Sequence, residues 1–280
     1  MSDTYSTKVK LFFSILALGA LTLIAYANTL FSPFNFDDQA VLQDLGSGTY
    51  PIWPVNYRHF IYYSFSLNKT FSGLNTFSYH LTNILFHFLT SVTVLLIAFK
   101  TFNNKTGWRG KKALGLATTT AFLFALNPLH TEALTYISGR PSSMGAFFYL
   151  LALLFFILGS EGKRSTLIAT LFYLLSLLAL SSSLLSKATM LTFPVSVILY
   201  SLCFIKKENW RPSKNRLLYI YLTFSVLIVV FFITTFMKHL EKAQHITPTE
   251  KRQVIIQTKT KGLAETKGLA ETKGLAETKG

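Results

Sequence analysis

Residues 11–30 read LFFSILALGALTLIAYANTL, and no charged side chain interrupts the sequence from Leu11 to Phe36. Lys8 and Lys10 precede this run, and Asp37 and Asp38 close it. A helix that crosses a bilayer needs about 20 consecutive, mostly apolar residues. The run is longer than the apolar core of a cleaved signal peptide, so it reads as a retained anchor. Six more segments carry the same signal: 79–99, 113–129, 143–158, 166–185, 188–205 and 217–237. The third and fourth spans of the resulting seven are short. The expected fold is therefore an all-α polytopic membrane protein with about seven transmembrane helices in residues 1–237.

Composition points the same way. Half of the 280 residues are hydrophobic and only 14% are charged. Soluble domains carry about 25% charged residues, and a disordered basic nucleic-acid binder lacks such apolar content. One cysteine, Cys203, excludes an intrachain disulfide framework and a multi-cysteine metal site; in the sixth span it reads as a small packing residue.

The net charge of +15 is an orientation signal. With the N-terminus in the cytoplasm, inner segments hold fourteen Lys and Arg, and outer segments before the tail hold four: Arg58, Lys69, Arg140 and Lys187. Three acids lie inside (Asp3, Glu161, Glu208) and four outside (Asp37, Asp38, Asp44, Glu132), so the outer face is neutral. Every inner loop obeys the positive-inside rule, and short basic loops on one side suit anionic lipid rather than nucleic acid.

Residues 31–78 form the first extracytoplasmic loop. From Tyr57 to Gly73 an amphipathic pattern returns, with Phe60, Ile61, Ser64, Phe65 and Phe71 on one helical face and Arg58 and Asn68 off it. A helix lying in the membrane interface is expected there. Asn68-Lys69-Thr70 is a glycosylation sequon on the outer side, with meaning only in a eukaryotic secretory host. Residues 238–280 differ in kind. Thr-Lys-Gly-Leu-Ala-Glu repeats three times over 260–277, a period matching neither helix nor strand. A low-complexity, disordered extension is expected, arising by repeat expansion or by a frame change that cut short a longer protein.

Ionisable groups near membrane spans are functional candidates, since each is costly in hydrocarbon. Asp37, Asp38, Arg58, His59, His80, His130, Glu132, Arg140 and Lys187 all fall at the outer ends of spans or in outer loops. A transporter would instead show ionisable groups at mid-membrane and matched broken helices; only His87 is deep. His80, Asn83 and His87 share one helical face. About 10.5 Å of helical rise separates the two histidines, too far for a two-histidine metal site, so a hydrogen-bonded buried face or a phosphate-facing stripe fits better. Asp37–Asp38 reads either as an interfacial turn and cap or as a general base beside a membrane-borne substrate. In the second case one carboxylate takes a proton while the other positions a loop or binds a cation.

Taken in order, Pro33-Phe-Asn-Phe-Asp-Asp38, Leu67-Asn68, Gly73-Leu-Asn75, Tyr79-His-Leu-Thr-Asn83 with His87, Leu126-Asn-Pro-Leu-His-Thr-Glu132-Ala, Ile137-Ser-Gly-Arg140 and Ser186-Lys187 resemble a known family. It is the membrane portion of the TPR-repeat-containing transmembrane O-mannosyltransferases and their bacterial relatives, within the GT-C superfamily of polyprenyl-phosphate-sugar-dependent glycosyltransferases. The resemblance covers about residues 10–205. Pro141 and Ser142 stand where that pattern usually has an acid, and Ala188 where it usually has Glu. In that family further spans and TPR repeats follow.

The resemblance implies a GT-C-like fold that moves a mannose-like hexose from a polyprenyl phosphate to a hydroxyl of a protein or glycan acceptor, with inversion, on the extracytoplasmic face. Asp37 is the implied base, with Asp38 beside it. Arg58, His80, Arg140 and Lys187 are the implied phosphate-side groups, joined by Asn83 and His87 on the stripe; His130 and Glu132 would hold a sugar hydroxyl or the donor. A divalent cation is left open, with Asp38 its candidate ligand. The expected home is a bacterial inner membrane or the endoplasmic reticulum, with the N-terminus cytoplasmic and the tail outside. Two alternatives stand beside this: a truncated, inactive membrane fragment of the family, and a transporter or lipid-handling protein.

Overall fold

The computed structural model describes residues 2–39, 41, 59–105, 108–161, 164–205 and 212–244. Arg58 and the repeat tail lie outside the described residues. The chain divides into two units, Met1–Val230 and Phe231–Gly280. The first carries helices α1 (Ser2–Tyr26), α2 (His59–Ser72), α3 (Thr76–Lys105), α4 (Lys111–Ala125), α5 (Thr131–Thr135), α6 (Arg140–Gly159), α7 (Thr166–Leu184) and α8 (Phe193–Phe204). A further helix, α9 (Pro212–Gln244), runs past residue 230. No strand occurs among the described residues.

Among the described residues, four stretches are long and apolar enough to cross a membrane: Tyr5–Thr29, Thr76–Asn103, Ile137–Gly159 and Thr166–Leu184. The chain is thus an all-α integral membrane protein. The other three of the expected seven are shorter: α4, and the apolar stretches Thr189–Phe204 and Tyr219–Thr235. The apolar run expected over 113–129 ends as a helix at Ala125, because Pro128 cannot continue it. Asn127 caps the following turn, its Oδ1 accepting the Leu129 amide at 3.0 Å. The fourth span, by contrast, is longer than its apolar run, since Arg140 turns inward and opens the helix.

Helix α3 is the central post. Tyr79, His80, Asn83, Ile84, His87, Ser91, Leu95 and Ala98 recur at spacings of three and four and are all buried. Opposite them α4 buries Ala113, Ala117, Ala121 and Ala125, a ladder of small side chains that lets two backbones approach closely. The α6–α7 hairpin uses the same device at heptad spacing. Gly145, Ala152 and Gly159 on α6 meet Ser183, Ser176 and Ala169 on α7 in antiparallel order. Ser183 Oγ donates to the Gly145 carbonyl at 2.8 Å, and Ser176 Oγ to the Ala152 carbonyl at 2.6 Å. A Cβ on Gly159 would lie 3.2 Å from the Ala169 carbonyl. Leu167, Leu171, Leu174 and Leu178 face outward, as suits lipid.

The ends of the bundle differ in chemistry. At one end Glu161 bridges Lys100 (2.8 Å) and Arg164 (3.1 Å). The other holds the start of α3, the turn after α1, the start of α6 and the end of α7, and with them the candidate site residues. Helix α2 covers that end with Ile61 and Phe65 inward. One expectation about α2 is corrected: Asn68 turns inward to Arg140 rather than off the face of Ile61 and Phe65, while Phe71 is 85% exposed. On α8, Cys203 is exposed rather than packed.

Candidate active site

A cavity of about 980 Å³ opens between the turn after α1, α2, the α4–α6 connection and the start of the turn after α7. Its charged lining, among the described residues, is Asp37, Glu132 and Lys187. The hydroxyl-bearing residues Tyr62, Tyr136, Ser138, Ser142, Ser186 and Thr189 share the lining. Phe36, Leu129 and Phe65 add apolar wall. Two acids, one cation and many hydroxyls suit a ligand with several hydroxyls and one anionic group.

The acidic pair divides its work. Asp37 is exposed and lines the cavity. Asp38 is 1% exposed and does not line it. Its Oδ1 accepts the Ser138 amide at 2.7 Å and its Oδ2 the Asn35 amide at 3.1 Å. The Asp38 amide in turn donates to the Asn35 carbonyl at 3.0 Å. Inside this turn Phe36 has φ +47°, a left-handed conformation that is uncommon for an aromatic residue. Asp38, a candidate cation ligand by sequence, therefore has both oxygens engaged by backbone. Among the described residues no three His, Cys, Asp or Glu side chains gather as a metal site.

Lys187 extends its Nζ to the Ser142 hydroxyl at 2.7 Å. Glu132 sits in the first turn of the short helix α5. The neighbouring turn needs glycine: a Cβ on Gly139 would lie 2.9 Å from the carbonyl oxygens of both Glu132 and Ala133.

Arg140 is fully buried. Its Nε donates to Asn83 Oδ1 at 2.8 Å, Nη1 to Asn68 Oδ1 at 2.7 Å and Ser64 Oγ at 3.2 Å, and Nη2 to the Tyr79 carbonyl at 3.0 Å. The guanidinium also lies over the Phe65 ring, 4.2 Å from its centre. A buried cation must be hydrogen-bonded and shielded in this way. Asn68 turns inward because this cation needs an acceptor from α2. Its Nδ2 donates to the Ser78 carbonyl and to Thr82 Oγ1, so the sequon asparagine is engaged on both sides of its amide.

Comparison with known proteins gives these residues a context. Protein O-mannosyl-transferase TMTC1 of Mus musculus is 33% identical over 224 residues, 71% of this chain and 22% of that protein. Protein O-mannosyl-transferase TMTC1 of Homo sapiens is 30% identical over 168 residues, 58% of this chain and 18% of its own length. Protein O-mannosyl-transferase tmtc2 of Xenopus laevis is 36% identical over 159 residues, 49% of this chain and 18% of its own length. The relatives are O-mannosyl-transferases. The chain spans about a fifth of the length of these O-mannosyl-transferase relatives. No protein-family model matches the chain, and no solved structure matches it.

Of the groups expected from the O-mannosyl-transferase resemblance, Asp37, Glu132 and Lys187 share the cavity. Arg140 was expected at the donor phosphate; its donors instead serve Ser64, Asn68, Tyr79 and Asn83, so it braces the wall behind the cavity. Asn83 completes that brace, its Nδ2 donating to the Tyr136 carbonyl at 3.0 Å. His80 is buried with Nε2 3.1 Å from the Ser32 carbonyl. His87 is buried with Nε2 2.9 Å from the Ala125 carbonyl. The stripe of His80, Asn83 and His87 is thus a hydrogen-bonded buried face rather than a ligand-facing one. His130 packs against His87 and Phe124, at ring-centre distances of 5.2 and 4.5 Å, and burial holds its imidazole below the usual histidine pKa.

Sequence reasoning did not single out Ser138, Ser142, Tyr62 or Tyr136 as lining residues. Ser142 carried a signal, since it replaces an acid in the family pattern two residues from Arg140. The tyrosines carried none.

Proposed function

We propose that the chain forms the catalytic membrane portion of a glycosyltransferase. It would move a mannose-like hexose from a polyprenyl phosphate to a hydroxyl of a protein or glycan acceptor on the extracytoplasmic face. The observation that carries this reading is one cavity in which Asp37, Glu132 and Lys187 come together, in a chain similar to O-mannosyl-transferases.

In this reading the acceptor hydroxyl gives its proton to the Asp37 carboxylate as its oxygen attacks the anomeric carbon. The bond from that carbon to the phosphate oxygen breaks, and its electron pair leaves with the phosphate. Attack from the face opposite the leaving group inverts the anomeric centre. A phosphate needs little protonation to depart, so one base suffices, in contrast to the paired carboxylates of glycoside hydrolysis. Lys187 and the Ser142 hydroxyl stabilise the departing phosphate, and Glu132 accepts hydrogen bonds from the sugar hydroxyls. The loop charges support a cavity facing away from the cytoplasm.

The test is transfer by the purified full chain in proteoliposomes supplied with polyprenyl-phosphate mannose and a Ser/Thr-containing peptide. Labelled, inverted glycopeptide is the expected product. Absence of transfer at every tested donor concentration contradicts the reading. Donor flux across the bilayer without transfer would favour a lipid-handling protein instead.

A further inference from the structure

We propose that Asp38 is the positioning residue of the site: clamped on the amides of Asn35 and Ser138, it aims the neighbouring Asp37 into the cavity. The inference rests on the reading of Asp37 as the base.

A carboxylate taken out of water must have its oxygens satisfied, and Asp38 does so with backbone donors alone. Charge-assisted bonds of this kind are stronger than neutral ones. The two donors come from segments far apart in the chain: Asn35 from the turn after α1, Ser138 from the turn that opens α6. Ser138 itself lines the cavity. The clamp therefore ties the loop bearing Asp37 to the opposite wall of the site.

The same clamp sustains an unfavourable backbone. Phe36, between Asn35 and Asp37, sits in the left-handed region, which persists only where surrounding bonds over-determine it. Those bonds are Asp38 N–H to the Asn35 carbonyl, Gln39 N–H to the Phe36 carbonyl, and Asn35 N–H to Asp38 Oδ2. Phe36 is held on the outer side by an edge-to-face contact with Tyr136, 6.0 Å between centres. With Asp38 fixed inward, Asp37 leaves the turn on the cavity side. Both neighbours of the base are thus tied, Phe36 by its ring contact and Asp38 by its hydrogen bonds, as acceptor orientation requires.

Asparagine at 38 can accept one of the two amides, but its own N–H₂ would face the other. In the proteoliposome assay with polyprenyl-phosphate mannose and a Ser/Thr-containing peptide, Asp38→Asn should lower kcat roughly 10- to 100-fold, the scale of a misplaced reacting group. The donor KM should stay within about twofold, because Asp38 does not reach the cavity. Unchanged kcat in Asp38→Asn beside an inactive Asp37→Asn overturns the proposal. So does a raised KM at unchanged kcat, which would put Asp38 on the substrate. Full turnover by Asp37→Asn is a different result: it removes the base reading, and with it what Asp38 is said to aim. Should Asp38→Asn fail to fold, backbone hydrogen exchange of the wild-type chain decides. Slow exchange at the Asn35 and Ser138 amides is expected, and unprotected exchange at either contradicts the clamp.

Discussion

Lys187 Nζ lies 2.7 Å from the Ser142 hydroxyl, and both residues line the same cavity. Among the described residues Lys187 is the cation that faces it. Lys187→Met should therefore lower transfer from polyprenyl-phosphate mannose by roughly 100-fold or more, since it removes the charge opposite the leaving group. Ser142→Ala, which removes one neutral hydroxyl donor and keeps the ammonium, should cost about 10-fold or less. Initial-rate kinetics on the two variants check the order. Equal effects would mean that the ammonium does not meet the phosphate.

Arg140 gives the opposite expectation. Its donors serve two other helices, α2 and α3, so Arg140→Ala leaves the acceptors of Asn68 and Asn83 unpaired. A loss on the order of 3 kcal/mol of stability follows. Arg140→Lys should recover little of it, because an ammonium cannot reproduce the planar fork. Thermal unfolding in detergent measures this. A stable Arg140→Lys protein with a selective rise in donor KM would return Arg140 to the phosphate.

This residue also shows how far the sequence could be read. Residues 11–30, the α3 stripe and the α6–α7 hairpin were legible because long apolar runs and three- and four-residue spacings are local signals. The placement of Asp37, Glu132 and Lys187 at one end followed from counting spans. The direction in which Arg140 points did not follow. It is set by Ser64 and Asn68, more than 70 residues away, and a rule that sends polar groups outward places Asn68 on the wrong face. The early end of α4 was signalled by Asn127–Pro128, which an apolar count passes over.

Gly139 should not tolerate alanine. The added methyl would stand 2.9 Å from two carbonyl oxygens of the α5 turn, and backbone gives way less readily than a side chain. Overpacking of this kind costs about 1–3 kcal/mol, and here it displaces Glu132. Gly139→Ala should lose both thermal stability and transfer, whereas Gly115→Ala, with open space around its Cβ, should lose neither. Matched unfolding and activity measurements on the pair test this.

His130 predicts a pH dependence. Burial lowers its pKa from the ordinary value, so the unfolded chain binds a proton more readily than the folded one. The stability it supports is full above the unfolded value of about 6.5 and falls as the pH drops below it. His130→Gln should flatten that fall. Unfolding midpoints of both proteins between about pH 5 and pH 8 give the comparison. Identical slopes would show that His130 does not titrate on unfolding.

In the proposed reaction Asp37 takes the acceptor proton. The most direct measurement is sugar transfer by Asp37→Asn in proteoliposomes, alongside wild type, with membrane insertion checked in the same samples. Asparagine keeps the shape and loses the base. Normal insertion with transfer reduced to background is the expected result. Full transfer by the inserted variant would contradict it.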